Sequence, residues 1–342
     1  MKLDLTLRAL FLVVEQMPKP RRFLFDTFFD NRENTDSQEV QIEFKNGRRL
    51  MAPMVARHIP GQEMPKEKFT GRVFKPYKID PKKSFLADEL TFERQPGENP
   101  FLKDDPDSKR AKKIAETMTE QVDQISRRWE KMAAEVLYTL KLTVEGKGVK
   151  DVVDYTEPGK PHIITVPDTW DSATSNPIND LKGALRGITA DGGERPTAVI
   201  LDPKASDLFQ NNKNVKEIMN LRNYYVGQIK PETENTNGVI YIGTLTSLGL
   251  DIYEYQEYYD NIKADGTTEV LKLVPEYTAL LAPKGNIVKF AAESTIKNGI
   301  LQGDLIPRIF ENEENDSITI RTTSKPVMIP INTKSLKVLK VK

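Results

Sequence analysis

No cysteine occurs among the 342 residues. Disulfide staples, thiolate metal sites and cysteine nucleophiles are therefore excluded. Histidine is almost as scarce, with only His58 and His162, so the commonest metal ligand and general base are missing as clusters. An excess of one charge is missing too, because 50 Lys and Arg balance 50 Asp and Glu. A dedicated nucleic-acid binder would show a basic surplus, whereas a neutral chain has little long-range repulsion against its own copies. No apolar run approaches the length of a bilayer span. The run Leu10–Val14 is closely bracketed by Arg8 and Glu15 and lacks a small-residue cleavage site after it. It reads as an arm or short helix packed on protein, in a chain that is cytosolic where it is made. Phosphate loops, dinucleotide fingerprints, His-Glu-x-x-His and Gly-x-Ser-x-Gly are all absent.

What is present is ordinary globular composition, 38% hydrophobic and 29% charged, enough to bury a sizeable core. Residues 1–36 read as an arm in which Arg21 and Arg22 precede Phe23-Leu24-Phe25 and Phe28-Phe29. Phe23, Phe25, Phe28 and Phe29 need a cover. That cover is either a neighbouring copy or the chain's own core. Next, Val40, Ile42 and Phe44 alternate as a half-buried strand does, and Asn46-Gly47 is a hairpin signal. Pro53, Pro60, Pro65, Pro76 and Pro81 then forbid helix. Residues 45–83 thus read as a long, extended two-stranded excursion, which cannot bury both faces alone.

Charge is segregated along this stretch. Residues 45–83 hold 11 Lys or Arg, among them Arg48, Arg49, Arg57, Arg72 and Lys75, against Glu63, Glu67 and Asp80, a balance of +8. Residues 86–107 run the other way and include Asp104, Asp105 and Asp107. Opposite charge on separate segments favours head-to-tail pairing between copies; intrachain pairing on a solvated surface is the alternative. The named basic residues and the three aspartates are the candidate contacts between copies. The aspartates could also seed an oxygen-ligand metal site, but their position suits a helix N-terminus better.

A long helix is predicted over 108–142, capped by Asp107 or Ser108. Ile114, Met118, Val122, Ile125, Trp129, Met132, Val136 and Leu140 form one apolar stripe in steps of three and four. Of these, Ile114, Met118, Ile125, Trp129 and Val136 are the expected core of a spine helix. Residues 168–300 have α/β texture. A helix starts at Asn176-Pro177, the strand at 198–201 stops at Asp202-Pro203 and a helical pattern resumes over Ala205 to Phe209, and Asn214 with Glu217 resembles a capping box. Short strands follow near 198–201, 239–242, 250–255, 270–274, 279–282 and 287–290, and the tail returns to β after Ile318. Tyr253, Tyr255, Tyr258 and Tyr259 could stack on bases, but no basic residue lies between Thr244 and Asn261, so a strand edge is the better reading. The class is α+β, with no cofactor and no catalytic residue assigned. A metal-dependent hydrolase using scattered carboxylates is the remaining enzymatic alternative.

The order of arm, Pro-rich excursion, acidic connector, spine helix, α/β middle and β return resembles the bacteriophage lambda type major capsid protein E family, which has the Hong Kong 97 capsid fold. The pieces that carry the resemblance are 22–29 (Arg-Phe-Leu-Phe-Asp-Thr-Phe-Phe), 93–100 (Glu-Arg-Gln-Pro-Gly-Glu-Asn-Pro) and 199–204 leading to Leu208-Phe209. The resemblance implies an N-terminal arm at 1–36 and an E-loop hairpin at 37–90. It further implies a peripheral domain at 91–167 and 301–342, and an axial domain at 168–300. Pentamers and hexamers of the chain itself would form a shell around DNA that is held by proximity only. A scaffold, a portal and a decoration protein would be its partners, with no membrane involved. Such a protein would be assembled in the host cytoplasm and end in the virion. A cellular nanocompartment shell shares the fold and is the alternative function.

Overall fold

The computed structural model describes residues 7–17, 22–45, 69–91, 106–146, 148–157, 159–217, 238–262, 267–295 and 299–342. Helices α1 (Leu7–Gln16) and α2 (Phe23–Phe28) lead into strand β1 (Asn31–Asn34). Strands β2 (Val40–Lys45) and β3 (Phe69–Phe74) then pair antiparallel, and among the described residues they pair with each other alone. A two-residue Asn46-Gly47 hairpin would set Lys45 opposite Arg48. Lys45 faces Phe69 across the β2–β3 pair, and Asn46-Gly47 lies outside the described residues. Strand β4 (Lys82–Leu86) and helix α3 (Ala87–Thr91) bring the chain to helix α4 (Pro106–Thr139).

Helix α4 is the longest element, 34 residues, or roughly 50 Å at 1.5 Å per residue. It starts at Pro106, a residue suited to the first turn because its missing N–H would be unpaired there anyway. Asp107 therefore sits inside the first turn, where its charge meets the positive end of the helix dipole, and is not the cap. The helix stops short of the predicted 142 because Leu140 takes a left-handed conformation (φ 53°), after which β5 (Lys141–Gly146) begins and pairs with β6 (Val149–Asp154). The whole stripe from Ile114 to Leu140 is buried. At its centre the Trp129 ring stacks on Phe25 with centroids 5.3 Å apart and leans on Phe290 at the same distance.

The middle of the chain supplies β7 (Ile163–Thr165), α5 (Pro177–Ala190), β8 (Ala198–Leu201), α6 (Pro203–Asn211), β9 (Val239–Leu245) and β10 (Leu250–Tyr255). Both helices start with proline behind a side-chain cap: Asn176 accepts from the Asn179 N–H, and Asp202 from the Lys204 N–H. The capping box expected at Asn214 is not the one used. Asn212 accepts the Asn214 N–H at 3.0 Å, while the Asn214 amide donates to the Ser175 carbonyl.

Further on come β11 (Tyr258–Ile262), β12 (Thr268–Lys272), β13 (Thr278–Ala282), β14 (Ile287–Phe290), β15 (Glu293–Thr295) and β16 (Gly299–Leu301). The tail holds β17 (Ile306–Asn312), β18 (Ser317–Thr323), β19 (Pro326–Ile329) and β20 (Lys337–Lys340). A six-stranded mixed sheet runs in the order β7-β20-β13-β8-β10-β9, and three-stranded sheets run β1-β14-β19 and β17-β18-β4. The breaks expected at 167/168 and 300/301 do not follow these sheets. Strands β7 and β20 belong to the six-stranded sheet, while β14 pairs with β19 and with the arm strand β1. Helices α5 and α6 pack one apolar cluster against the six-stranded sheet; α4, the arm and the tail strands share another.

Candidate functional site

The arm is the first of the expected contact regions. Leu24, Phe25, Phe28 and Phe29 are fully buried within their own chain, and Phe23 is half-buried against Tyr253 and Tyr255 at 5.4 and 5.3 Å. The expectation that Phe25, Phe28 and Phe29 contact a neighbouring copy is therefore corrected. They cover the chain's own core, because β1 pairs with β14 and draws α2 onto α4. Arg22 lies over the rings of Phe25 and Trp129, 4.9 Å from each centroid, and pairs with Asp26 at 3.2 Å.

One side chain in this joint had no signal in the sequence. Glu130 of α4 is buried, and its carboxylate accepts hydrogen bonds from the Leu24 and Phe25 N–H groups and the Tyr255 hydroxyl. Burial pushes its pKa up to about 7, against the pull of those hydrogen bonds, with Asp26 adding to the rise.

The excursion is attached to the body by Val40, Phe74 and Ile79, which pack on the core, by β4, which pairs with β18, and by charge. Lys78 bonds Glu293 at 2.9 Å and Asp80 at 3.3 Å. Arg321 bonds Asp80 at 2.6 Å and Glu293 at 3.4 Å, and Arg308 also pairs with Glu293. Burial raises the pKa of Asp80, while the Thr323 hydroxyl works against it. Ile79 and Ser324 exchange backbone hydrogen bonds at 2.8 and 3.0 Å, and the Tyr77 hydroxyl donates to Asp151. Part of the segregated charge thus finds partners within the chain, as Lys83 does with Glu120. Of the remaining contact candidates, Lys75 and Asp107 are exposed, and the Arg72 backbone lies in β3. Arg48, Arg49, Arg57, Asp104 and Asp105 lie outside the described residues.

Among the described residues, four strand pairs without a third strand each present an aliphatic residue to solvent: Val73 at 60%, Val152 at 52%, Val270 at 64% and Ile300 at 62%. These residues mark uncovered faces, whereas Val40 of β2 and Leu142 of β5 lie on covered ones, within the core. Chemistry finds less support. Among the described residues no group of three or more potential ligands could hold a metal ion. An open groove lined by Ser84, Phe85, Leu86, Glu89, Asn315 and Ser317 offers a single carboxylate. His162 is buried with its ring nitrogens 2.9 and 3.0 Å from the Leu336 and Leu137 carbonyls. Burial lowers its pKa. It ties the end of α4 to the segment before β20. No helix among the described residues is long and apolar enough to cross a membrane.

Comparison with known proteins matches this architecture to phage head proteins. The solved structure of the putative capsid protein of a prophage of Escherichia coli CFT073 superposes with a TM-score of 0.71 at 19% identity, covering 100% of both chains. A phage-related protein from Bordetella bronchiseptica RB50 gives 0.53 at 10% identity, over 98% of this chain and 96% of the other. The fold is thus the Hong Kong 97-like major capsid fold. In sequence, the chain is 27% identical over 159 residues to the major capsid protein of Enterobacteria phage P21 and to the P21 prophage-derived major head protein of E. coli O6:H1. That alignment spans 46% of each chain, about half the length of these relatives. The profile of phage major capsid protein E matches without this restriction, running from residue 6 to residue 341, and the chain belongs to that family.

Proposed function

We propose that the chain is the shell-building subunit of a phage head, acting through its contact surfaces and not through catalysis. The observation that carries this reading is the β2–β3 pair. It has no third strand among the described residues; Val40 and Phe74 turn one face to the chain's own core, while Val73 stands 60% exposed on the other. Such a ribbon gains a second layer when another copy lies against it.

In this reading 1–36 are the arm and 37–90 the E-loop, except that β4 returns to the peripheral sheet. Helix α4 with the β17-β18-β4 sheet forms the peripheral domain. The axial domain is the six-stranded sheet with α5 and α6, including β7 and β20, and it gathers around five- and six-fold centres. Arg48, Arg49, Arg57, Arg72 and Lys75 of one copy would lie near Asp104, Asp105 and Asp107 of the next, and Phe23 remains a contact residue at its half-buried edge. The shell encloses DNA without specific recognition, is assembled in the host cytoplasm with a scaffold and a portal, and can carry a decoration protein. No cofactor is required. The family match favours a phage head over a nanocompartment.

Negative-stain microscopy of the purified chain under assembly conditions tests the reading. Shells, tubes or capsomer rings are expected. A monodisperse monomer under every condition would overturn it.

A further inference from the structure

The joint between arm, spine helix and six-stranded sheet is closed by one carboxylate. Glu130 is 5% exposed. Its Oε1 accepts from the Leu24 N–H and the Tyr255 hydroxyl, both at 2.7 Å, and its Oε2 from the Phe25 N–H at 2.9 Å. All three donors are neutral. Among the described residues no cation pairs with Glu130; the arm's Arg22 and Arg32 both turn to Asp26. On α4 itself, Lys131 pairs with Glu135 and lies over the Tyr259 ring, and Arg127 interacts with Glu257. Asp26, on α2, adds a like charge nearby.

An ionised carboxylate without a counter-ion is expensive to bury, and the neutral acid, although its own O–H gains no acceptor from these three donors, costs less. Moving α2 away would return Glu130 to water. The two protonation forms must therefore hold the arm with different strengths. We propose that Glu130 is a proton-operated latch on the N-terminal arm: with its proton it holds α2 against α4 and Tyr255, and on losing the proton the joint loosens and opens more often.

The latch works in the neutral range, because burial raises the docked carboxyl to about 7 from an ordinary 4.5. Linkage between those values weakens arm attachment by at most about tenfold per pH unit, with no further change above the upper one. The device operates in a single chain and does not depend on assembly. In a shell, it would set the pH at which the arm becomes available to a neighbour.

Hydrogen exchange of the full-length unassembled chain reads the latch directly. Protection of the 22–29 segment, corrected for intrinsic exchange rates, is followed from pH 5 to pH 8, with β8 as internal reference. Protection at Leu24 and Phe25 is expected to fall at least tenfold relative to β8 across this range, and Glu130→Gln should remove the fall. Tyr255→Phe deletes a donor to the ionised form and should move the midpoint to higher pH while leaving the acid form intact; it serves as the second test should Glu130→Gln not fold. A flat wild-type profile, the same slope in Glu130→Gln, or an unmoved midpoint in Tyr255→Phe would each overturn the proposal.

Discussion

Trp129 is 1% exposed and touches the arm through Phe25 and strand β14 through Phe290. Trp129→Ala removes this common neighbour and should cost about 3–5 kcal/mol, read as a shift of the urea midpoint; a loss near zero would contradict the packing. Glu130, one residue on, makes a different prediction. Its folded pKa of about 7 exceeds the ordinary 4.5, so its contribution is full below the lower value and lost as pH rises to the upper one. The stability of the wild type relative to Glu130→Gln should therefore fall by on the order of 3 kcal/mol between pH 4.5 and pH 7.5. An unchanged gap in denaturant melts would remove the buried-acid account. The two residues also differ in how far the sequence reveals them. Trp129 belongs to a stripe with helical period, visible in one dimension. Glu130 looks like any charged residue of a helix, because its partners Leu24 and Phe25 lie 106 and 105 positions away.

Among elements, the helix start at Asn176 was legible, while the other starts and the end of α4 were read less well. Asn176 and Asp202 each stand before a proline and cap a helix, since the chemistry of a cap is local. The end of α4 is set by the left-handed Leu140, a conformation that a leucine does not advertise. The cap at 212 rather than 214 follows from Ser175, a tertiary partner. The two good caps are not equal, however. Asn176 accepts one amide at an exposed site, whereas Asp202 is 2% exposed and accepts from both Lys204 and Tyr277 at 3.1 Å. Asn176→Ala should cost about 1 kcal/mol, and Asp202→Ala more, roughly 2–3 kcal/mol, because it strands the Tyr277 N–H between α6 and β13 as well. Equal shifts of the thermal midpoint in the two variants would show that the second hydrogen bond contributes nothing.

At the scale of the whole molecule, strand positions were readable but strand partners were not. The alternation that marks β20 cannot say that it lies between β7 and β13, and so the expected domain limits cut through sheets. Charge segregation is legible in sequence, and it yields the most demanding prediction. Surface charges act over about 10 Å at 0.1 M salt, and an exposed pair contributes little to the stability of one chain. Between many copies in a closed shell the same contact recurs at every interface. Arg48→Glu with Arg49→Glu should therefore leave the circular dichroism and melting of the unassembled chain unchanged to within about 0.5 kcal/mol, yet prevent shells from forming at moderate salt. If those arginines contact the acidic connector of a neighbour, adding Asp104→Lys and Asp105→Lys should restore shells, since each interface then regains opposite charges in exchanged positions. If they instead pair within their own chain, the double variant should melt lower before any assembly is attempted. Normal shells from the double variant would remove the electrostatic role of the excursion altogether.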